Sequence, residues 1–435
     1  MKQFEALDRV DPLAEYGRVA QAVGTVIEGY GPITSIGEMG EIIREDGDGR
    51  VLAEVVGFRG ERLLLMPLGE MRGIGPTSRL MMTGRQASVP VGAGLLGRVL
   101  DGLGRPIDGG GPIQADVPYP LYADAMNPLR RRRITEPFDM GIRAINGLLT
   151  CGVGQKVGVF AGSGVGKSIL LGMISRNTVA DVKVIALIGE RGREVQEFLE
   201  RDLTPEARAN SVVVAATSDQ PPLVRIRGAF VATAIAEYFR DRGKNVLLLM
   251  DSLTRFAHGQ REVGLAIGEP PTTKGYTPSV FALLPKLLER VGTCEGTGSI
   301  TGVYTILVEG DDLSDPIADS ARAILDGHIV LSRELVARHH FPAIDILQST
   351  SRVMMDITTP RHRTAARAII ESLSTYQRAE DLITLGAYKP GSNARVDRAM
   401  NSIEAINTYL QQEPSEAAPL SASVEALVTM ATGQS

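Results

Sequence analysis

Residues Ala161–Ser168 read AGSGVGKS and stand between an apolar run, Val157–Phe160, and a helix-like one, Ile169–Ile174. A glycine-rich turn between a strand and a helix can aim successive backbone N–H groups at one phosphate, and the helix N-terminus adds partial positive charge. In that setting Gly162, Ser163, Gly164, Val165 and Gly166 form a cradle, and Ile169 lies just inside the helix. Lys167 reaches the β- and γ-phosphates, and the Ser168 hydroxyl is a ligand for Mg²⁺. Ala161 holds the first position of the pattern, so its φ is expected to be negative, because a Cβ resists the left-handed region. The chemistry indicated is that of a nucleoside triphosphate site, with ATP or ADP as ligand.

Two carboxylates complete the set. Asp251 ends the apolar strand NVLLLMD, where it can hold the shell of a Mg²⁺ ion; an Asp at a strand end otherwise starts a turn. Glu190 follows a second apolar strand in Ile188–Val195, IGERGREV, and has two readings. It can orient and polarise the water that attacks a γ-phosphate, or it can satisfy a helix dipole at the N-terminus that follows. Arg191, beside it, can bind γ-phosphate oxygens. Arg352, in STSRV, reads alone as a surface arginine, although a ring of identical subunits would need an arginine to reach a neighbour's γ-phosphate. Phe341, in HFPAI, is a buried loop aromatic or a face on which adenine stacks. The histidines at 258, 328, 339, 340 and 362 show no HxxxH or HExxH spacing, so solvated or capping roles are expected.

The elements that must position these residues change character along the chain. Residues 1–16 read as a short helix with Phe4, Leu7 and Val10 on one side. From Arg18 to about Pro90, short Val/Ile-rich runs (Val23–Ile27, Ile33–Ile36, Val51–Val56, Leu63–Met66) are broken by turn signals such as Asp46–Gly49, as in a small antiparallel barrel. Residues 97–135 read as a Gly/Pro-rich linker whose Arg130–Arg133 run is a solvated stretch or an anion patch. Strands at Lys156–Phe160, Lys183–Ile188, Ser211–Ala216, Val246–Met250 and Gly302–Val308 then alternate with helices at 167–178, 191–203, 222–242 and 278–291. That alternation predicts a parallel sheet covered on both faces, with ligands at the carboxyl ends of its strands. Beyond Pro360 the pattern is helical, with Val396, Met400, Ile403, Ile406 and Leu410 on one face, and the Ser/Ala/Glu-rich tail 411–435 is expected to be partly disordered.

Bulk composition narrows the function further. The chain has 435 residues, 43% hydrophobic and 22% charged, with a net charge of −5 and no Trp. A negative balance with 5% aromatics disfavours a nucleic-acid surface. Cys151 and Cys294 are isolated thiols, consistent with a reduced, cytoplasmic protein lacking structural zinc. The acidic N-terminus has no signal-peptide pattern and no apolar run reaches membrane-spanning length, so any membrane role is peripheral.

Taken in order, GRVLDGLGRPID (97–108), AGSGVGKS (161–168), IGERGREVQEF (188–198), ATSDQPPLVRIR (216–227), LLLMDSLTRFA (247–257), GEPPTTKGY (268–276), EGDDLSDPIADSARAILDGHIVLSREL (309–335) and PAIDILQSTSRVM (342–354) resemble the rotary ATPase catalytic-subunit family. Within it the likeness is greatest to the flagellar type III protein export ATPases, and it runs from about Tyr16 to Leu410. The resemblance implies an α/β fold in three parts: an N-terminal antiparallel β-barrel (1–95), a RecA-like P-loop domain with a mainly parallel sheet (96–358) and a C-terminal helical domain (359–435). It implies a homohexamer that hydrolyses ATP with Mg²⁺. Lys167 and Ser168 serve phosphate and metal, Glu190 the water, Arg191 the γ-phosphate, Asp251 the metal shell and Phe341 the adenine face. Arg352 becomes the finger from the adjacent subunit. The partners implied are a stator-like regulator, a central stalk protein, an export gate and chaperone–cargo complexes, at the cytoplasmic face of the inner-membrane export apparatus; virulence-type secretion is the nearest alternative. Thr277 stands where these ATPases usually have Pro, and Phe341 where Tyr is usual.

Overall fold

Strands β1 (Tyr16–Val23), β2 (Val26–Tyr30), β3 (Glu38–Ile43), β4 (Arg50–Arg59), β5 (Arg62–Pro67) and β6 (Arg79–Gln86) close into an antiparallel barrel in the order β1-β2-β5-β4-β3-β6. The computed structural model describes residues 15–45, 49–308, 310 and 312–433. The expected helix at 1–16 and most of the turn at Asp46–Gly49 lie outside them. Alternate residues fill the barrel, among them Val19, Ile27, Ile42, Val55, Leu65 and Leu80. Two strands read from the sequence are corrected. Val23–Ile27 is not one strand: Gly24 sits at φ 59° and folds Val23 back onto Val26. Ile33–Ile36 is a turn between β2 and β3 with both isoleucines exposed, because the segment has no strand to pair with.

The expected linker carries structure of its own. β7 (Ser88–Val91) pairs with β9 (Val117–Pro120), and β8 (Val99–Asp101) lies parallel to Val213–Ala215 as an edge of the main sheet. Bidentate bonds of 2.8 Å from Arg98 to Asp108 pin the chain beside β8 and hold the Asp108 carboxyl well below the usual range. The Arg130–Arg133 run is no anion patch. Arg130 pairs with Glu295 at 2.6 Å, Arg131 donates to Val291 O at 2.7 Å and Arg132 to Cys294 O at 3.0 Å.

After the short pair β10 (Pro137–Phe138) and β11 (Cys151–Gly152) come β12 (Lys156–Ala161), β13 (Val182–Ile188), β14 (Ser211–Ala216), β15 (Asn245–Asp251), β16 (Gly292–Thr293), β17 (Ser299–Leu307), β18 (Gly327–Leu331) and β19 (Ile344–Ser351). The sheet order is β19-β18-β12-β17-β15-β13-β14-β8, with β16 on the side of β17. Pairing is parallel except for β18–β19 and β16–β17. β12, β13 and β14 are buried along their whole length, as expected of strands covered on both faces. Helix Pro222–Asp241 packs on one face and joins the barrel through a buried ion pair, Arg227–Glu54 at 2.5 Å, to which Tyr122 adds a hydrogen bond of 2.9 Å. Burial pushes the Glu54 carboxyl up, and the Arg227 charge opposes the shift.

Helices Pro360–Thr384, Ala394–Leu410 and Leu420–Thr432 form the C-terminal part. The last of these corrects the expectation of disorder. Val424, Leu427, Val428 and Ala431 recur at helical spacing within the small residues and pack into the core that holds Ile145 and Ile406.

Candidate active site

The glycine loop leaves the carboxyl end of β12 and enters helix Lys167–Asn177. Gly164 and Gly166 take φ 78° and 89°, the left-handed turns that only glycine adopts without strain, whereas Ala161 keeps negative φ as expected. Gly166 caps the helix without any side-chain hydrogen bond, so the first-turn N–H groups remain available to an anion. Gly162 and Val165 are buried in the floor, while Ser163, Gly164, Ser168 and Ile169 are exposed.

Three strand ends converge on Lys167. Leu187 of β13 pairs with Asp251 of β15, and β15 and β12 flank β17. This register brings the buried Asp251 carboxylate to 2.5 Å from Lys167 Nζ and the Glu190 carboxyl to 3.4 Å. Burial works against the Lys167 ammonium, but the charges of Asp251 and Glu190 outweigh it and its pKa is raised. Glu190 is pushed up to about 8 by burial, by the negative charge of Asp251 and by its hydrogen bond to Glu194; Lys167 opposes the shift. Glu194 moves the opposite way, lowered first by that hydrogen bond. Arg191 is exposed, next to Glu190 in the chain.

Phe341 reaches the loop from the other side. An added Cβ on Gly166 would stand 4.0 Å from its ring. The ring, Ile169, Met173 and the tail residues Gln412, Glu413 and Pro414 line a cavity of about 610 Å³ that opens beside the glycine loop. Arg352 is elsewhere. Its backbone N–H bonds to Asp326 O, and Asp326 N–H bonds to Lys156 O, so it sits at the amino end of β12. The guanidinium is exposed and donates to Arg322 O at 3.1 Å.

Four residues of this region escaped the sequence reading. Thr305 donates to Asp251 at 2.6 Å from near the carboxyl end of β17, and a polar residue inside VYTILV was its signal. Glu194 lies in IGERGREV, where its spacing suggests no role. Arg255, on helix Leu253–Ile267, packs against Gly189, whose added Cβ would meet it at 2.7 Å. Gln412 had no signal, because its partners are far away in sequence.

An antiparallel barrel, a parallel sheet with a phosphate loop at its strand ends and a helical C-terminal part define a P-loop nucleotide-hydrolysing protein of the rotary type. Residues 141–351 match the ATP synthase alpha/beta family nucleotide-binding domain and residues 19–84 that family's beta-barrel domain; residues 358–429 match the T3SS EscN ATPase C-terminal domain. The chain is 51% identical over 428 residues to a flagellum-specific ATP synthase of Bacillus subtilis, covering 98% of each. It is 51% identical to a type 3 secretion system ATPase of Xanthomonas euvesicatoria, covering 95% of this chain and 94% of the relative. The assembled ATPase EscN of enteropathogenic E. coli, solved with its central stalk EscO, superposes with TM-score 0.88 at 45% identity, covering 95% of this chain and all of that one. The chain belongs to the ATP synthase alpha/beta family, in the branch of the flagellar and type III secretion ATPases.

Proposed function

We propose that this protein is the ATPase of a flagellar protein export apparatus, acting as a homohexameric ring. The observation that carries the reading is the convergence of Lys167, Asp251 and Glu190 at the mouth of the glycine loop. The three units 1–95, 96–358 and 359–435 then serve as barrel, ATPase domain and helical domain.

Lys167 pairs with phosphate oxygens of ATP, and the N–H groups of the loop and first helical turn bind the remaining charge. Ser168 and Asp251 supply hard oxygen donors that fit Mg²⁺, which when bound neutralises phosphate charge. Glu190 takes the proton of a water whose oxygen attacks the γ-phosphorus as the bond to the ADP oxygen breaks. In the arrangement described its carboxyl holds a proton up to about pH 8, so it must lose that proton to serve as base. Arg191 stands ready for the γ-phosphate, and Phe341 offers a ring face to adenine.

Arg352 is out of reach of its own site. From Lys156 to Ala161 the strand runs roughly 16 Å at about 3.3 Å per residue, and an arginine spans only about 7 Å from its Cα by bond lengths. Its place on the surface at the far end of β12 suits a finger offered to a neighbouring subunit. With finger and base in one chain, every interface of a homomeric ring is competent. The stalk, a stator-like regulator, the export gate and chaperone–cargo complexes are the proposed partners, met at the cytoplasmic face of the inner membrane. No described helix is long and apolar enough to cross a membrane.

ATP hydrolysis measured against protein concentration tests the ring: specific activity is expected to rise as subunits assemble, and a flat profile through dissociation would refute it. Virulence-type secretion is the second reading, because the Xanthomonas relative is equally identical at 51%. Restoration of motility in a strain lacking its flagellar ATPase separates the two.

A further inference from the structure

Thr305 is fully buried on β17, between the strand that leads into the glycine loop and the strand that ends in Asp251. Parallel pairing sets it opposite Val159 of β12, and its neighbour Tyr304 opposite Met250 of β15. The carboxyl end of β17 is held on both sides. Val308 N–H donates to Ala161 O at 3.0 Å, where the glycine loop begins. Leu307 N–H donates to Thr254 Oγ1 at 2.8 Å, in the first turn of the helix that follows Asp251. A β-branched side chain on such a strand is stiff about χ1, so the backbone decides where the hydroxyl lies. That hydroxyl has one proton to give. Met250 O lies 3.4 Å from Thr305 Oγ1 and Asp251 Oδ1 only 2.6 Å, so the proton goes to the carboxylate.

Lys167 Nζ approaches the same oxygen, Oδ1, at 2.5 Å, and among the described residues nothing donates to Asp251 Oδ2. Two donors therefore share one oxygen, and the other keeps its lone pairs for a further partner. We infer that Thr305 is a positioning residue for Asp251, holding Oδ1 so that Oδ2 stays presented to the Mg²⁺ shell when Lys167 turns to phosphate. The inference rests on the proposed ATPase reading and adds a residue to its metal side. Phosphate oxygens of a bound nucleotide draw the Lys167 ammonium from Asp251, and a carboxylate held by that contact alone would be free to rotate. Thr305 is uncharged, is not drawn to phosphate, and sits on a strand bonded at both flanks, so its bond to Oδ1 persists. Residues that orient a metal-binding carboxylate in this way govern metal affinity by about 10–100-fold without touching the ion.

The test is calorimetric titration of the full chain with ADP, once with Mg²⁺ and once with EDTA in its place. Thr305→Val keeps the shape and loses the hydroxyl. It is expected to weaken ADP about tenfold with Mg²⁺ and to leave it within about twofold with EDTA. Thr305→Ser returns the donor and is expected to bind within about twofold of wild type in both conditions. If Thr305→Val fails to fold, Thr305→Ala takes its place beside Thr305→Ser, since those two differ only in the hydroxyl. Equal weakening in both conditions, no change in either, or a Thr305→Ser as weak as the variant without the hydroxyl would overturn the positioning role. Wild-type protein that binds ADP equally well with Mg²⁺ and with EDTA would refute the metal role of Asp251 itself, and Thr305 with it. That failure shows before any variant is compared, so it is distinct from failure of Thr305 alone.

Discussion

Replacing Arg352 with Ala removes a side chain that, among the described residues, bonds only to Arg322 O, so folding should be unaffected. The strand register puts Arg352 level with Lys156, roughly 16 Å along β12 from Ala161 at about 3.3 Å per residue. A finger acting in trans contributes about 10³–10⁵ in turnover, equivalent to ~4–7 kcal/mol of barrier. Arg352→Ala should therefore lose hydrolysis by at least about a thousandfold with ATP affinity nearly intact. Mixing it with Glu190→Gln gives a stronger reading. Each interface would draw its finger from one subunit and its base from the next, so in a ring assembled at random from equal amounts about one quarter of interfaces are competent. Steady-state hydrolysis of the mixture should approach a quarter of the wild-type rate, while each variant alone stays inactive. If the mixture stays as inactive as its components although the two variants co-assemble, the arginine works within its own subunit or structurally, and the trans argument fails.

The Glu190 carboxyl, held up to about 8, predicts an ascending limb of kcat/KM near that pH, which Glu190→Gln should abolish along with turnover. A profile flat from pH 6 to 9 would exclude it as the base. Linkage gives a second readout from the same group. Its folded pKa is raised above the ordinary value of 4.5, so its stabilisation is full below pH 4.5 and lost as pH rises through about 8. Glu190→Gln should thus unfold at a higher temperature than wild type at pH 8.5 and match it near pH 5. Glu54→Leu leaves Arg227 buried without its partner and should cost about 3–5 kcal/mol, most of it recovered in Glu54→Leu/Arg227→Met. Thermal unfolding of the two variants checks this, and a single-variant cost under about 1 kcal/mol would contradict the buried pair.

Residue types and their spacing specify the phosphate loop and the strands around it. AGSGVGKS needs left-handed φ at Gly164 and Gly166, and a continuous apolar run such as Ser211–Ala216 can only be covered on both faces. Asp251 and Glu190 were legible because each ends such a run. Tertiary structure alone decided what Lys167 touches, since the register of β12, β17, β15 and β13 brings three distant strand ends to one point. It also decided that β8 joins the sheet, because three residues among glycines carry no period and their pairing with Val213–Ala215 is non-local. Arg131 and Arg132 read as free charge and proved to be donors to the carbonyls of Val291, Cys294 and Thr297, which no spacing encodes. Gln412 is the limiting case. A glutamine in a polar tail has no periodicity or motif, and it gains its place only when Gly141, Arg143 and Phe341 fold around it. Local patterns are written in the chain because backbone geometry and burial act on neighbours, whereas contacts between residues far apart exist only after the sheet has set their distances.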